Sequence, residues 1–392
     1  MPKERLPWVA LLAFTTLAFS AIITELLPAG VLFEMAKDLH VPASRIGQLV
    51  SYFAIGTVLT AMPAAALTRN MSRKPLLLFV TFGFVISNGI TALSHDYLLT
   101  VTVRITAGGF SGLLWPLLAG YTSKLVSKKN TGKAIAVVMA GSTLALSIGL
   151  PVGSFFGQLL GWRATFGALS VLSILLIAWI AWKVPDRAGD GKNEGASLSE
   201  LLKMPGVALV LSTTFMASLS VYVSYTYLSP ILISKGITES VSYALLLFGI
   251  GAVVGIFITG KLIDGYLRMT LLAAVVLQGI SMFVIGMAGH IPQVLYISTI
   301  LWGISFGGLP SLLQTATINA AKGSPEVGSS MTVTVYNIGV FSGSFMGGLI
   351  LDFASAGTLT WTSQALIIIV IFSVIIGRKS AFPTSAFDRK NL

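Results

Sequence analysis

The 392-residue chain contains no cysteine and only three histidines, and charged residues make up just 10% of it. Without cysteine there is no disulfide, no thiolate nucleophile and no sulfur-ligated metal, and the redox compartment is left open. The histidines, His40, His95 and His290, fall between the long apolar runs, where solvated loop residues are expected rather than a metal or proton site. So little charge excludes a soluble domain of this length, whose surface would need far more. The apolar runs hold one carboxylate deep inside them and no histidine, so an enzyme with a positioned nucleophile, base or metal is not expected, nor is a cofactor.

What the chain has is hydrophobic length: 55% of its residues are apolar. A helix needs roughly 20 such residues to cross a bilayer. The runs predict spans at 8–33, 45–68, 75–94, 97–123, 133–159, 164–183, 207–233, 241–262, 270–289, 293–320, 327–351 and 359–377. The expected fold is therefore an all-α membrane protein of twelve transmembrane helices. The first run, Trp8 to Val31, exceeds a signal-peptide core and lacks a small-residue cleavage site, so it reads as the first span with no cleaved targeting segment.

The net charge of +11 is spread over short loops, a topology signal rather than a nucleic-acid patch. Of the 25 Lys and Arg residues, twenty fall in loops on the side of the termini. Lys37, Arg45, Arg163 and Lys235 fall on the other side, and Arg104 lies inside a span. That asymmetry predicts both termini in the cytoplasm.

One polar stretch, Pro185 to Lys203, mixes Gly, Pro and both charges and separates the sixth span from the seventh. It predicts an N-terminal six-helix bundle (1–184), a cytoplasmic linker (185–205), a C-terminal six-helix bundle (206–379) and a cytoplasmic tail (380–392). A weak internal repeat supports the division, since Leu67 aligns with Leu262 and Arg73 with Arg268, both 195 residues apart. Duplicated halves of this kind build alternating-access transporters.

Several motifs carry chemistry. The fifth span has Gly141, Ala145, Gly149, Gly153 and Gly157 at every fourth position with Pro151 among them, a groove for close helix packing beside a weakened turn. Gly339, Gly343 and Gly347 repeat the spacing in the eleventh span. The fourth span sets Arg104, Gly108, Ser111 and Trp115 on one face. The first span carries Thr24-Glu25-Leu26-Leu27-Pro28. Glu25 and Arg104 are the ionisable carboxylate and guanidinium placed well within the membrane, and such charges are functional candidates by default.

The loop Gly260-x-Leu262-x-Asp264-x-x-x-Arg268 resembles the signature of the major facilitator superfamily. Gly149-Leu-Pro-Val-Gly153 resembles its antiporter motif, Arg104-x-x-x-Gly108 its helix-four motif, and the Thr24 to Gly30 segment is similar to that of drug and sugar exporters. The first-half loop departs from the signature, with Ala65 and Arg69 where a glycine and an acid are usual, although Arg73 remains.

Nearly end to end, the chain resembles the bacterial twelve-helix drug:proton antiporters, in particular the sugar-efflux and arabinose-efflux branch. The resemblance implies two pseudo-symmetric six-helix bundles in the cytoplasmic membrane. It implies proton-coupled efflux of small neutral or cationic solutes such as sugars, sugar analogues or drugs. Purine nucleoside export and proton-coupled uptake are the alternatives, and a channel or receptor is the rival class. The expected partners are a small-molecule substrate, protons and lipid, with no nucleic acid, and the expected state is a monomer. Glu25 and Arg104 are the expected proton-coupling pair. Arg73, Asp264 and Arg268 are expected to gate, and Gly141, Gly149, Pro151 and Gly153 to form the antiporter motif.

Substrate sites of this build lie near the midplane, where polar groups orient a solute and aromatic faces stack on it. The candidates are Tyr52, Trp115, Tyr222, Tyr225, Trp302 and Asn337.

Overall fold

The computed structural model describes residues 6–68, 70–127, 130–189, 206–237, 241–321, 325–378 and 380–382. All the regular secondary structure among these residues is helical, with no strand among them. In chain order the helices are α1 (Trp8–Gly30), α2 (Leu32–Asp38), α3 (Ala43–Thr68), α4 (Arg73–Leu93), α5 (Tyr97–Leu125), α6 (Thr131–Leu144), α7 (Leu150–Leu160) and α8 (Trp162–Lys183). They continue with α9 (Val207–Tyr225), α10 (Leu228–Ser234), α11 (Val241–Ala288), α12 (Pro292–Ala320), α13 (Pro325–Phe353) and α14 (Ala356–Ile376). Among the described residues, eleven segments are long and apolar enough to cross a membrane. Helices are the solution lipid requires of an open chain, because they satisfy every backbone polar group within the segment.

Two differences from the sequence reading have local causes. The first span breaks at Val31 (φ −125°, ψ 36°), so α2 is a separate short helix. The seventh breaks at Tyr227 (φ −112°, ψ 29°), detaching α10. The eighth and ninth spans are separate, as the sequence reading has them: Ser242–Ile263 and Gly265–Ala288 meet within α11 at a kink where Tyr266 leaves helical geometry (φ −132°, ψ 34°). The breaks at Val31 and Tyr227 fall within runs that stay apolar across them, so hydropathy alone does not mark them.

Contacts divide the chain into two compact units, Met1–Val41 with Tyr52–Asn193, and Pro42–Ser51 with Glu194–Leu392. Each unit repeats the same packing scheme. In the first, a Cβ on Gly56 would strike the carbonyl of Ile105, one on Gly108 the carbonyl of Phe53, and one on Gly112 the carbonyl of Thr57. In the second, Gly251 meets Ile300, Gly303 meets Phe248 and Gly307 meets Ala252 in the same way. All six members of the first set lead their counterparts by 195 residues. Lipid gives apolar helices no hydrophobic drive to associate, so backbone approach through small residues replaces it. In the first unit hydroxyls reinforce the approach, with Thr57 donating to the carbonyl of Gly108 at 3.1 Å and Thr60 to that of Gly109 at 2.9 Å.

A second duplicated contact joins α1 to α6 and α9 to α13. Gly141 lies against the carbonyl of Thr15 and Gly339 against that of Phe215. Gly149 lies against Phe19 and Ile23, and Gly347 against Val223 and Tyr227. Pro151 follows a π-helical turn, Ala145–Gly149, in which the N–H of Leu150 reaches the carbonyl of Ala145. A proline lacks an N–H and crowds the preceding turn, and the wider π register relieves both effects.

Candidate functional site

The site in the first unit begins with Pro28. Having no N–H, it cannot return a helical hydrogen bond to the carbonyl four residues earlier, which belongs to Thr24. Arg104, reaching over from α5, takes that carbonyl. Its guanidinium donates to the carbonyl oxygen of Thr24 and, at 2.5 Å, to that of Glu25. The guanidinium carbon also lies 4.8 Å from the centre of the Phe53 ring, within cation–π reach. Arg104 is 1% exposed and Glu25 8% exposed, and the two charges act on each other electrostatically. Buried charges persist in apolar surroundings only where partners offset their desolvation. The two residues that sequence reasoning singled out are thus brought together, by backbone contacts that residue spacing does not reveal.

Gly108 and Ser111 share the Arg104 face of α5. Ser111 is 1% exposed and its hydroxyl has no partner among the described residues. Trp115, further along, packs half-buried against the hydrophobic core of this unit, and Tyr52 is half-buried on α3.

In the second unit the corresponding positions are aromatic or hydroxylic. Tyr225 lies 200 residues after Glu25, and Thr299 lies 195 after Arg104. The Tyr225 ring is 4.9 Å from Phe248 and 6.1 Å from both Tyr222 and Trp302, and it stacks on Phe306 at 6.2 Å with an interplanar angle of 6°. Tyr222 in turn meets Tyr336 at 6.2 Å. Tyr225 and Trp302 are 2% and 1% exposed, yet neither the Tyr225 hydroxyl nor the Trp302 Nε1 has a hydrogen-bond partner among the described residues.

The structure therefore joins Tyr222, Tyr225 and Trp302 into one cluster. Asn337 instead donates from Nδ2 to the carbonyl of Val333 on its own helix, at 2.9 Å. Sequence reasoning missed Phe248, Phe306 and Tyr336. For Phe248 a signal existed, because it stands 195 residues after Phe53.

Of the expected gating residues, Arg73 is buried at the start of α4, where its backbone N–H donates to the carbonyl of Arg187 at 2.8 Å. Arg268 is half-buried on α11, and the side chain of Asp264 lies outside the described residues. A Cβ on Gly260 would meet no described atom within 4 Å. Gly141, Gly149 and Gly153 all face α1, with Pro151 buried beside them. The three histidines are exposed, and no group of acidic or histidine side chains suited to a metal occurs among the described residues.

A model of the Major Facilitator Superfamily matches residues 9–344. A probable sugar efflux transporter of Helicobacter pylori (strain ATCC 700392 / 26695) is 26% identical over 362 residues, 92% of this chain and 92% of that protein. The uncharacterized MFS-type transporter YfhI of Bacillus subtilis is 28% identical over 346 residues, covering 88% of this chain and 86% of the relative. The transcription regulatory protein OpdE of Pseudomonas aeruginosa is 27% identical over 388 residues, covering 97% and 96%.

Among solved structures, a bacterial homolog of the human lysosomal transporter Spinster, inward-facing and unoccupied, superposes with a TM-score of 0.68. It is 14% identical, with 99% of this chain and 97% of that chain covered, a likeness of fold alone. With the family model spanning most of the sequence and a transporter of the same fold matching almost its full length, the chain belongs to the Major Facilitator Superfamily.

Proposed function

We propose that this protein is a proton-coupled efflux antiporter of small neutral or cationic solutes, sugars and sugar analogues foremost, working by alternating access in a bacterial cytoplasmic membrane. The observation that carries the reading is the buried Glu25 in electrostatic contact with Arg104, a carboxylate and a cation far from water in the first unit. Burial favours the neutral acid and a nearby guanidinium favours the ionised one. A cycle that alters their separation therefore loads and releases a proton. The name of the Helicobacter pylori relative, a probable sugar efflux transporter, supports export of sugars.

In this reading Glu25 carries the proton and Arg104 tunes it. Tyr52, Trp115, Tyr222, Tyr225, Trp302 and Asn337 contact the solute, with the two orphaned donors of the second unit, the Tyr225 hydroxyl and the Trp302 Nε1, as hydrogen-bonding groups. Besides Glu25 and Arg104 the buried charge among the described residues is Arg73, at the start of α4, so no second buried cation lies deep within a span to offer a countercharge for a dianion, which suits a neutral or cationic cargo. Asp264 with Arg268, and Arg73 in the first half, act as cytoplasmic latches. The 26-residue α3 joins the eleven spans as a twelfth, and both termini lie in the cytoplasm.

Inside-out vesicles with an imposed pH gradient test the proposal. Accumulation of a sugar from a panel, driven by an acidic lumen and abolished by a protonophore, is the expected result. Accumulation driven only by an alkaline lumen would identify a symporter instead.

A further inference from the structure

We infer that Asn88 is a positioning residue for the Glu25 and Arg104 pair, acting through the side chain of Thr24. Asn88 sits in the last third of α4, five residues before its end, fully buried. Buried hydroxyls on the same helix close on their own backbone: Thr81 donates to the carbonyl of Leu77 and Thr91 to that of Ser87, both at 2.7 Å. Asn88 instead crosses to α1, its Nδ2 donating to Thr24 Oγ1 at 3.1 Å.

Thr24 is thereby held at two points, by Asn88 on its side chain and by Arg104 on the carbonyl that Pro28 leaves without a helical donor. The amide's other end is not satisfied, because Asn88 Oδ1 has no partner among the described residues. A half-satisfied buried amide is costly where a leucine of similar size would remove the cost. Its reach to the residue on which Arg104 rests gives that cost a use.

Charge elsewhere on the helices packed around α1 is remote from this point. Glu34, Lys37 and Asp38 lie on α2; Arg73 and Lys74 begin α4; Tyr97, Tyr121 and Lys124 lie towards the ends of α5; Lys133 begins α6; Arg163 and Lys183 bound α8. Arg104 is the charge within this unit that meets Glu25. With Thr24 anchored, the guanidinium is occupied by two carbonyls. With Thr24 released, it can exchange a carbonyl for the Glu25 carboxylate, and an ion pair favours the ionised acid.

The test reads Glu25 directly, so it does not depend on the transport reaction proposed above. The carboxyl C=O band of Glu25, assigned by its loss in Glu25→Gln, is titrated by infrared difference spectroscopy on the full chain in proteoliposomes. Asn88→Leu and Thr24→Val should each move the half-protonation point of that band about one unit towards acid, whereas Thr24→Ser, which keeps the hydroxyl, should leave it in place. Thr24→Val carries the test where Asn88→Leu does not fold. A half-protonation point unchanged in the folded variants, even with lowered thermal stability, would reduce Asn88 to packing and overturn the inference, as would a Glu25 band that does not titrate. A shifted band in a protein whose transport ignores the pH gradient would overturn the antiport reading and uphold this one.

Discussion

Arg104 rests on the backbone of Glu25, its guanidinium donating at 2.5 Å to that residue's carbonyl oxygen and also to the carbonyl of Thr24 beside it. The contact exists because Pro28 withholds an N–H from α1 at this point. Lysine keeps the charge but lacks the planar fork that serves two acceptors at once. Arg104→Lys should therefore lose one charge-assisted hydrogen bond, about 1.5–3 kcal/mol, and transport at a small fraction of the wild-type rate. Thermal inactivation of the detergent-solubilised protein measures the first effect and vesicle transport the second; wild-type values in both would show that charge alone suffices.

The duplicated glycine contacts make a prediction in matched pairs. At Gly108 and Gly303 an added Cβ meets the carbonyls of Phe53 and Phe248, backbone atoms that cannot swing away. Gly108→Ala and Gly303→Ala should each destabilise by about 1–3 kcal/mol. Gly120, in the same helix as Gly108, has no described atom within 4 Å of its Cβ position. Gly120→Ala should be neutral or stabilise by about 0.5–1 kcal/mol. Equal effects at all three positions in a thermal-shift series would contradict the packing described.

Much of this fold was legible in the sequence because lipid imposes a length and a composition on every span. The family followed from motifs at fixed spacing, and the 195-residue repeat was readable from Arg73 and Arg268. The breaks at Val31 and Tyr227 were not legible, since hydropathy continues across them and the prolines near them, Pro28 and Pro230, are no different in kind from Pro116 and Pro310, which stand inside unbroken helices. The pairing of Glu25 with Arg104 was anticipated because both are charges placed well within the membrane, but the contact on the carbonyls was not, because backbone acceptors carry no residue-type signal. Asn88 was overlooked as one polar residue in a long apolar stretch. The aromatic cluster around Tyr225 was seen in part: Tyr222 and Trp302 have helical or motif spacing, whereas Phe248 and Phe306 look like ordinary apolar residues.

That cluster buries a polar group at its centre. The Tyr225 hydroxyl is buried without a partner, so Tyr225→Phe removes a desolvated polar group and should stabilise the protein by about 1–3 kcal/mol. If the hydroxyl orients a solute, the same change should weaken binding of hydroxylated solutes about tenfold or more while apolar cationic solutes are still carried. Replacing Trp302 or Asn337 should likewise change which solutes move and leave proton movement with a tolerated solute intact. Equal loss for every solute, at normal expression, would assign these residues to packing.

The orientation of the chain can be tested cleanly because the protein has no native cysteine. A single cysteine at Ala188 should resist an impermeant maleimide added to intact cells, and one at His290 should react. Both positions are exposed, so accessibility within the fold does not bias the result. The opposite pattern would reverse the proposed topology.

The most direct measurement of the account's central claim compares two activities of Glu25→Gln in proteoliposomes, solute exchange down its own gradient and accumulation driven by a pH gradient. Glutamine keeps the size and polarity of the side chain and removes its titratable proton. The account predicts that exchange persists near the wild-type rate while pH-driven accumulation is lost. Full pH-driven accumulation by a well-folded Glu25→Gln protein would contradict it, because the proton would then travel without the one buried acid in the Arg104 contact.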